Sequence, residues 1–151
     1  MNKRKSYFRT FSVLIEEYSI ELFIFEALVL VLAFHSLTII KYMALAIPLA
    51  IFVSEAMKLV IKENRPPTAM ERSYFKRSGS RLKIRSFPST HSSVAMAFAA
   101  AFYYTPAFIP LFVFAVVIMY SRVYIKSHYL RDVLAGGMIG LLIGYSVTFL
   151  L

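Results

Sequence analysis

The chain has 151 residues, 59% apolar and only 17% charged, with 17 Lys and Arg against 8 Asp and Glu for a net charge of +9. Soluble domains carry about a quarter charged residues. Here the charges crowd into short stretches between long apolar runs, which excludes a disordered chain and argues against a water-soluble globule. No cysteine is present, which removes disulfides, thiolate metal sites and thiol nucleophiles. A basic membrane protein explains the charge more simply than a nucleic-acid partner, and the length suits one domain over residues 1–151.

Lys3, Arg4, Lys5 and Arg9 open the chain, but neither an apolar signal core nor a small-residue cleavage site follows. Phe8 to Tyr18 reads as an amphipathic interfacial helix. Ile20 to Ile40 and Tyr42 to Ile61 are each long enough to cross a bilayer, which takes about 20 residues. Lys62 to Arg85 holds eight Lys and Arg against Glu63 and Glu71 and is a polar loop broken by Pro66, Pro67 and Gly79. Pro88 to Tyr104 is a third span. Pro106 to Tyr124 is a fourth, with Thr105 as N-cap and Pro106 in the first helical position. Tyr129 to Leu151 is the fifth, and Gly136, Gly140 and Gly144 along it form a small-residue stripe for close helix packing. The expected architecture is an all-α membrane bundle of about five transmembrane helices behind a short amphipathic helix.

Span parity brings three reactive blocks to one membrane boundary: Lys58-x6-Arg65-Pro66, Pro88-Ser89-Thr90-His91 and Ser121-Arg122-x5-His128-x3-Asp132. Lys58, Arg65 and Arg122 are cations suited to a phosphate dianion. Ser89 offers a hydroxyl, and the amides of Thr90 and His91 offer a helix N-terminus. His128 and Asp132, four apart, share a face on a helix, so Asp132 can hold one ring nitrogen and leave the other nucleophilic. His91 supplies a second imidazole as a separate proton donor. Anion clamp, oriented nucleophile and acid together are what metal-free phosphoryl transfer requires. A metal site from His91, His128 and Asp132 is disfavoured, because two imidazoles and one carboxylate sit among three cations.

In order and spacing these blocks resemble the signature of the type 2 phosphatidic acid phosphatase (PAP2) superfamily: Lys-x6-Arg-Pro, Pro-Ser-Gly-His and Ser-Arg-x5-His-x3-Asp. The resemblance implies that His128 is a nucleophile forming a phosphohistidine, that Asp132 orients it, and that His91 protonates the leaving group. It implies phosphate binding by Lys58, Arg65, Ser89, Thr90 and Arg122, with no metal or other cofactor. It also implies a multi-pass protein of the cell (inner) membrane acting on a phospholipid or glycolipid phosphate: lipid A 1-phosphate, phosphatidylglycerophosphate or undecaprenyl diphosphate. Family members resemble six-span bundles, one more than this chain supports. Thr90 stands where the family has Gly, so either the backbone is ordinary there or the loop is strained. Positive-inside counting puts the basic loop in the cytoplasm, whereas the resemblance implies an outward-facing pocket. The competing class is a non-catalytic anion transporter or assembly protein. A transporter would show broken helices or repeats at mid-membrane depth, and this chain keeps its charges at one boundary.

Overall fold

Alanines crowd the inside of the structure, beside a few larger apolar side chains such as Phe98 and Phe102, and many large apolar side chains face outward. Ala46, Ala50, Ala97, Ala99, Ala100 and Ala115 are buried, whereas Phe52, Val60, Ile109, Met138, Leu142 and Phe149 are exposed. The exposed large apolar side chains and the alanine-rich packing suit helices packed through small residues with lipid outside. The computed structural model describes residues 3–17, 29, 37–70 and 84–150. Among these are six helices and no strand: α1 (Lys3–Glu17), α2 (Leu37–Ile61), α3 (Pro67–Met70), α4 (Thr90–Ala100), α5 (Phe108–Tyr124) and α6 (Leu130–Leu150). Among the described residues, two stretches are helical, long and apolar enough to cross a membrane, Ile40–Ile61 and Leu130–Leu150, and Phe108–Tyr124 is apolar but shorter.

Several expected boundaries move. The chain does not break between Ile40 and Tyr42: α2 runs unbroken through Lys41 and carries Pro48 inside it. Neither Gly nor Pro occurs near residue 41 to interrupt the hydrogen-bond ladder. The expected span Ile20 to Ile40 lies largely outside the described residues. Pro88 to Tyr104 is helical only over Thr90–Ala100, because Ser89 caps its start and the chain then tightens into turns from Phe102 to Ala99 and Tyr103 to Ala100. Thr105 is not the cap of α5, which starts at Phe108 behind Ala107. The Thr105 hydroxyl instead donates back to the carbonyl of Phe102 at 2.9 Å. The interfacial helix begins before Phe8, and α1 docks on α5 through Phe8, whose ring meets Tyr124 edge-on at 4.9 Å and Tyr120 at 5.7 Å.

α4 is the central helix, most of it buried, and its most extensive contact is with α6. The glycine stripe makes this possible. A Cβ on Gly136 would overlap the Ser89 carbonyl, one on Gly140 the Ser93 carbonyl, and one on Gly144 would come within 2.6 Å of Ala100. The polar loop is clasped at its ends. Asn64 and Arg85 form an antiparallel bridge, the Arg65 amide donates to Ile84 O at 3.2 Å, and the Ser86 amide donates to Glu63 O at 2.7 Å. Residues 71–83 of that loop lie outside the described residues. The clasp carries Arg65 and Ser86 to the end of the bundle where α4 and α6 begin.

Candidate active site

At that end lie the last turn of α2, the first turns of α4 and α6, and the C-terminal turn of α5. The three blocks separated in sequence meet there. Lys58, in the last turn of α2, donates to Glu55 Oε1 at 2.6 Å and to the hydroxyl of Thr90. Thr90 in turn donates to Glu55 Oε1 at 2.7 Å. Thr90 thus joins a small polar cluster that fixes the lysine. Its backbone is ordinary, since Lys62 and Lys126 are the only non-glycine residues with positive φ among those described.

Ser89 is the N-cap of α4, fully buried, and its Oγ accepts from the Ser92 hydroxyl at 3.0 Å and from the Ser92 amide at 3.5 Å. Those bonds use its lone pairs, so the hydroxyl proton remains available to an anion. The Ser89 amide donates to Asp132 O at 3.0 Å, which ties the start of α4 to the first turn of α6. His91, the second residue of α4 and half-buried, lies in the electrostatic reach of Arg122, His128, Arg65 and Lys58. Arg122, 1% exposed, donates through Nη2 to Ser12 O at 2.7 Å and through Nε to Ser121 Oγ at 3.1 Å.

His128 is not on a helix with Asp132, as the spacing suggested. It sits in the connection ahead of α6, whose first residue is Leu130. The amides of Ser127 and His128 both donate to Arg122 O, at 3.0 and 3.3 Å, and this wraps the connection around the end of α5. Asp132 Oδ2 accepts the Tyr129 amide at 2.9 Å and so caps the start of α6 with its own first-turn carboxylate. The imidazole and carboxylate do face each other, with Nδ1 to Oδ2 at 3.7 Å, longer than a hydrogen bond. Between them stands Ser86, a residue the sequence reading missed. Its Oγ lies 3.3 Å from Nδ1 of His128 and donates to Oδ2 of Asp132. Its partners lie 42 and 46 positions along the chain, so no local spacing rule signals it.

On the other side of the ring, Arg65 Nη1 is 2.8 Å from His128 Nε2 and donates to Ser127 O at 3.2 Å. Guanidinium has only donors, so this contact requires an unprotonated Nε2. Burial, reinforced by Arg65 and Lys58 and opposed by Asp132, pushes the His128 imidazole down to about 4. The ring is therefore neutral at ordinary pH. Lys58, Arg65 and Arg122 are all under a tenth exposed, against a buried Asp132 and a half-buried Glu55. Three cations against two acids in one desolvated site leave positive charge that an anion would balance.

The family model described as the PAP2 superfamily matches residues 39–150. No curated protein matches the chain in sequence. Among solved structures, the crystal structure of Aquifex aeolicus LpxE superposes with a TM-score of 0.73 at 23% identity, covering 99% of this chain and 87% of that one. At that identity the likeness is one of fold.

Proposed function

The chain belongs to the PAP2 superfamily and is a phosphatase of PAP2 type, and from that premise we propose that it is a multi-pass membrane enzyme that hydrolyses lipid phosphates through a phosphohistidine on His128. The observation that carries this reading is the 2.8 Å approach of Arg65 to His128 Nε2. A phosphoryl group reaching that nitrogen comes directly beside a guanidinium able to bind two of its oxygens.

In this reading Lys58, Arg65 and Arg122 hold the phosphate with the Ser89 hydroxyl and the first amides of α4, at Thr90 and His91. Nε2 of His128 attacks phosphorus. As the bond from phosphorus to the leaving oxygen breaks, that oxygen takes a proton from His91. Water then attacks the phosphohistidine, His91 accepts a proton from it, and inorganic phosphate leaves with His128 restored. The chemistry calls on no metal, since the buried cations hold the charge that a metal would otherwise neutralise.

The exposed apolar side chains of the described helices support a bilayer setting; in this reading the protein lies in the cell (inner) membrane with the site on its extracytoplasmic side. A pocket at the membrane boundary beside a basic loop suits a crowded anionic headgroup, so lipid A 1-phosphate leads, ahead of phosphatidylglycerophosphate and undecaprenyl diphosphate. The test is phosphate release from these three lipids by purified protein in detergent. Release from at least one, inhibited by vanadate, is expected; release from none of them would overturn the reading.

A further inference from the structure

We propose that Ser86 is the positioning residue through which Asp132 holds the ring of His128, so that the acid acts on the nucleophile by way of a serine hydroxyl. This rests on the reading of His128 as the nucleophile. The direct separation of Nδ1 and Oδ2, 3.7 Å, exceeds a hydrogen bond. Ser86 Oγ is closer to the ring, at 3.3 Å, and is itself bonded to Oδ2. The serine is fully buried, and the bond from its amide to Glu63 O fixes its backbone. It therefore has little freedom to choose other partners.

The protons follow from the chemistry of the groups. Ionised Asp132 only accepts, so the Ser86 proton points to Oδ2 and only lone pairs face the imidazole. The neutral ring must then present Nδ1–H to Ser86 and leave Nε2 unprotonated. Arg65, a donor on the opposite side at 2.8 Å, demands the same tautomer independently. When the Nε2–phosphorus bond forms and the bond to the leaving oxygen breaks, the ring becomes positive. Nδ1–H stays on the ring and its donation to Ser86 strengthens, while the leaving oxygen takes its proton from His91. No proton passes through the serine.

The experiment measures kcat and KM for phosphate release by the full chain carrying Ser86→Ala, Ser86→Cys, Asp132→Asn, or Ser86→Ala with Asp132→Asn, with His128→Ala as reference. Nitrogen NMR of the histidine rings reads the His128 tautomer alongside. Ser86→Ala is expected to lower kcat about 10- to 100-fold, the usual effect of removing a group that orients a site side chain, with KM within about twofold. The Nδ1–H form should persist, since Arg65 still demands it, but the Nδ1 nitrogen should shift upfield as its bond to Ser86 is lost. Cysteine, close in volume but a weak acceptor, should fall between serine and alanine, and it reads the effect if the alanine variant does not fold. The double variant should be no slower than the slower single one, because both changes break one connection. A folded Ser86→Ala or Ser86→Cys protein with wild-type kcat overturns the proposal. So do losses that multiply in the double variant, or an Nδ1 nitrogen shift unchanged by Ser86→Ala. If His128→Ala keeps its activity, the nucleophile reading fails instead; if it is inactive while Ser86→Ala is not, only the role of Ser86 fails.

Discussion

The guanidinium of Arg122 and the main-chain carbonyl of Ser12 are joined at 2.7 Å across 110 positions of sequence. A residue of the proposed phosphate clamp is thereby held by the N-terminal helix, which itself docks on α5 through the ring of Phe8. Each such ring pair contributes about 0.5–1.5 kcal/mol. Phe8→Ala is expected to loosen α1 and raise KM for the phosphate substrate several-fold, with a smaller change in kcat. Steady-state kinetics beside limited proteolysis of α1 checks this. An undocked α1 with unchanged KM would show that Ser12 does not position the arginine.

The glycine stripe sets the spacing of α4 and α6, and with it the distance of Ser89, Thr90 and His91 from His128. Gly140→Ala would drive a Cβ into the Ser93 carbonyl. Alanine gains about 1 kcal/mol in helix propensity, but overpacking against backbone costs about 1–3 kcal/mol or more, so the clash wins. A lower melting temperature in detergent and a loss of phosphate release are expected together. Met138→Ala, on the exposed side of the same helix, should change neither.

His91 and His128 separate by leaving group. An acid matters most where the departing oxygen is a poor leaving group. His91→Ala is expected to lose far more activity on a lipid phosphate than on an activated aryl phosphate, whereas His128→Ala loses both. Equal losses on the two substrates in His91→Ala would remove the acid role.

The imidazole of His128, held down to about 4 chiefly by burial, should stay neutral well below the usual histidine range near 6.5. Nitrogen NMR of the three histidine rings, assigned with His128→Ala, should give it a midpoint near 4. A midpoint at or above 6.5 would contradict the buried geometry. The linkage runs with pH. Above about 6.5 the folded and unfolded rings are both neutral and stability is full. As pH falls from there toward 4, the unfolded ring takes a proton that the folded one refuses. Stability drops by roughly 3 kcal/mol at about 1.36 kcal/mol per pH unit.

The convergence of Lys58, Arg65, Ser89, Thr90, His91, Arg122, His128 and Asp132 was legible from the order and spacing of the three blocks, because charge blocks at the ends of hydrophobic runs are local signals. The glycine stripe was legible for the same reason: i, i+4 spacing alone puts Gly136, Gly140 and Gly144 on one face. Ser86 was not, since its significance depends on a loop clasp that pairs Asn64 with Arg85 and brings a distant hydroxyl to His128. Thr90 could be flagged as a departure from the family glycine. Its bonds to Glu55 and Lys58 depend on how α2 crosses α4, which no single stretch encodes. Thr105 misled because the Phe102 carbonyl competes successfully for its hydroxyl.

In the proposed mechanism His128 carries the phosphoryl group, and trapping that adduct is the sharpest test. Purified protein mixed with a radiolabelled lipid phosphate and quenched under alkaline conditions, where phosphohistidine survives, is digested and the labelled peptide sequenced. Label is expected on His128 during turnover and none in His128→Ala, which should release no phosphate. Turnover by His128→Ala, or label on another residue in the wild type, would contradict it.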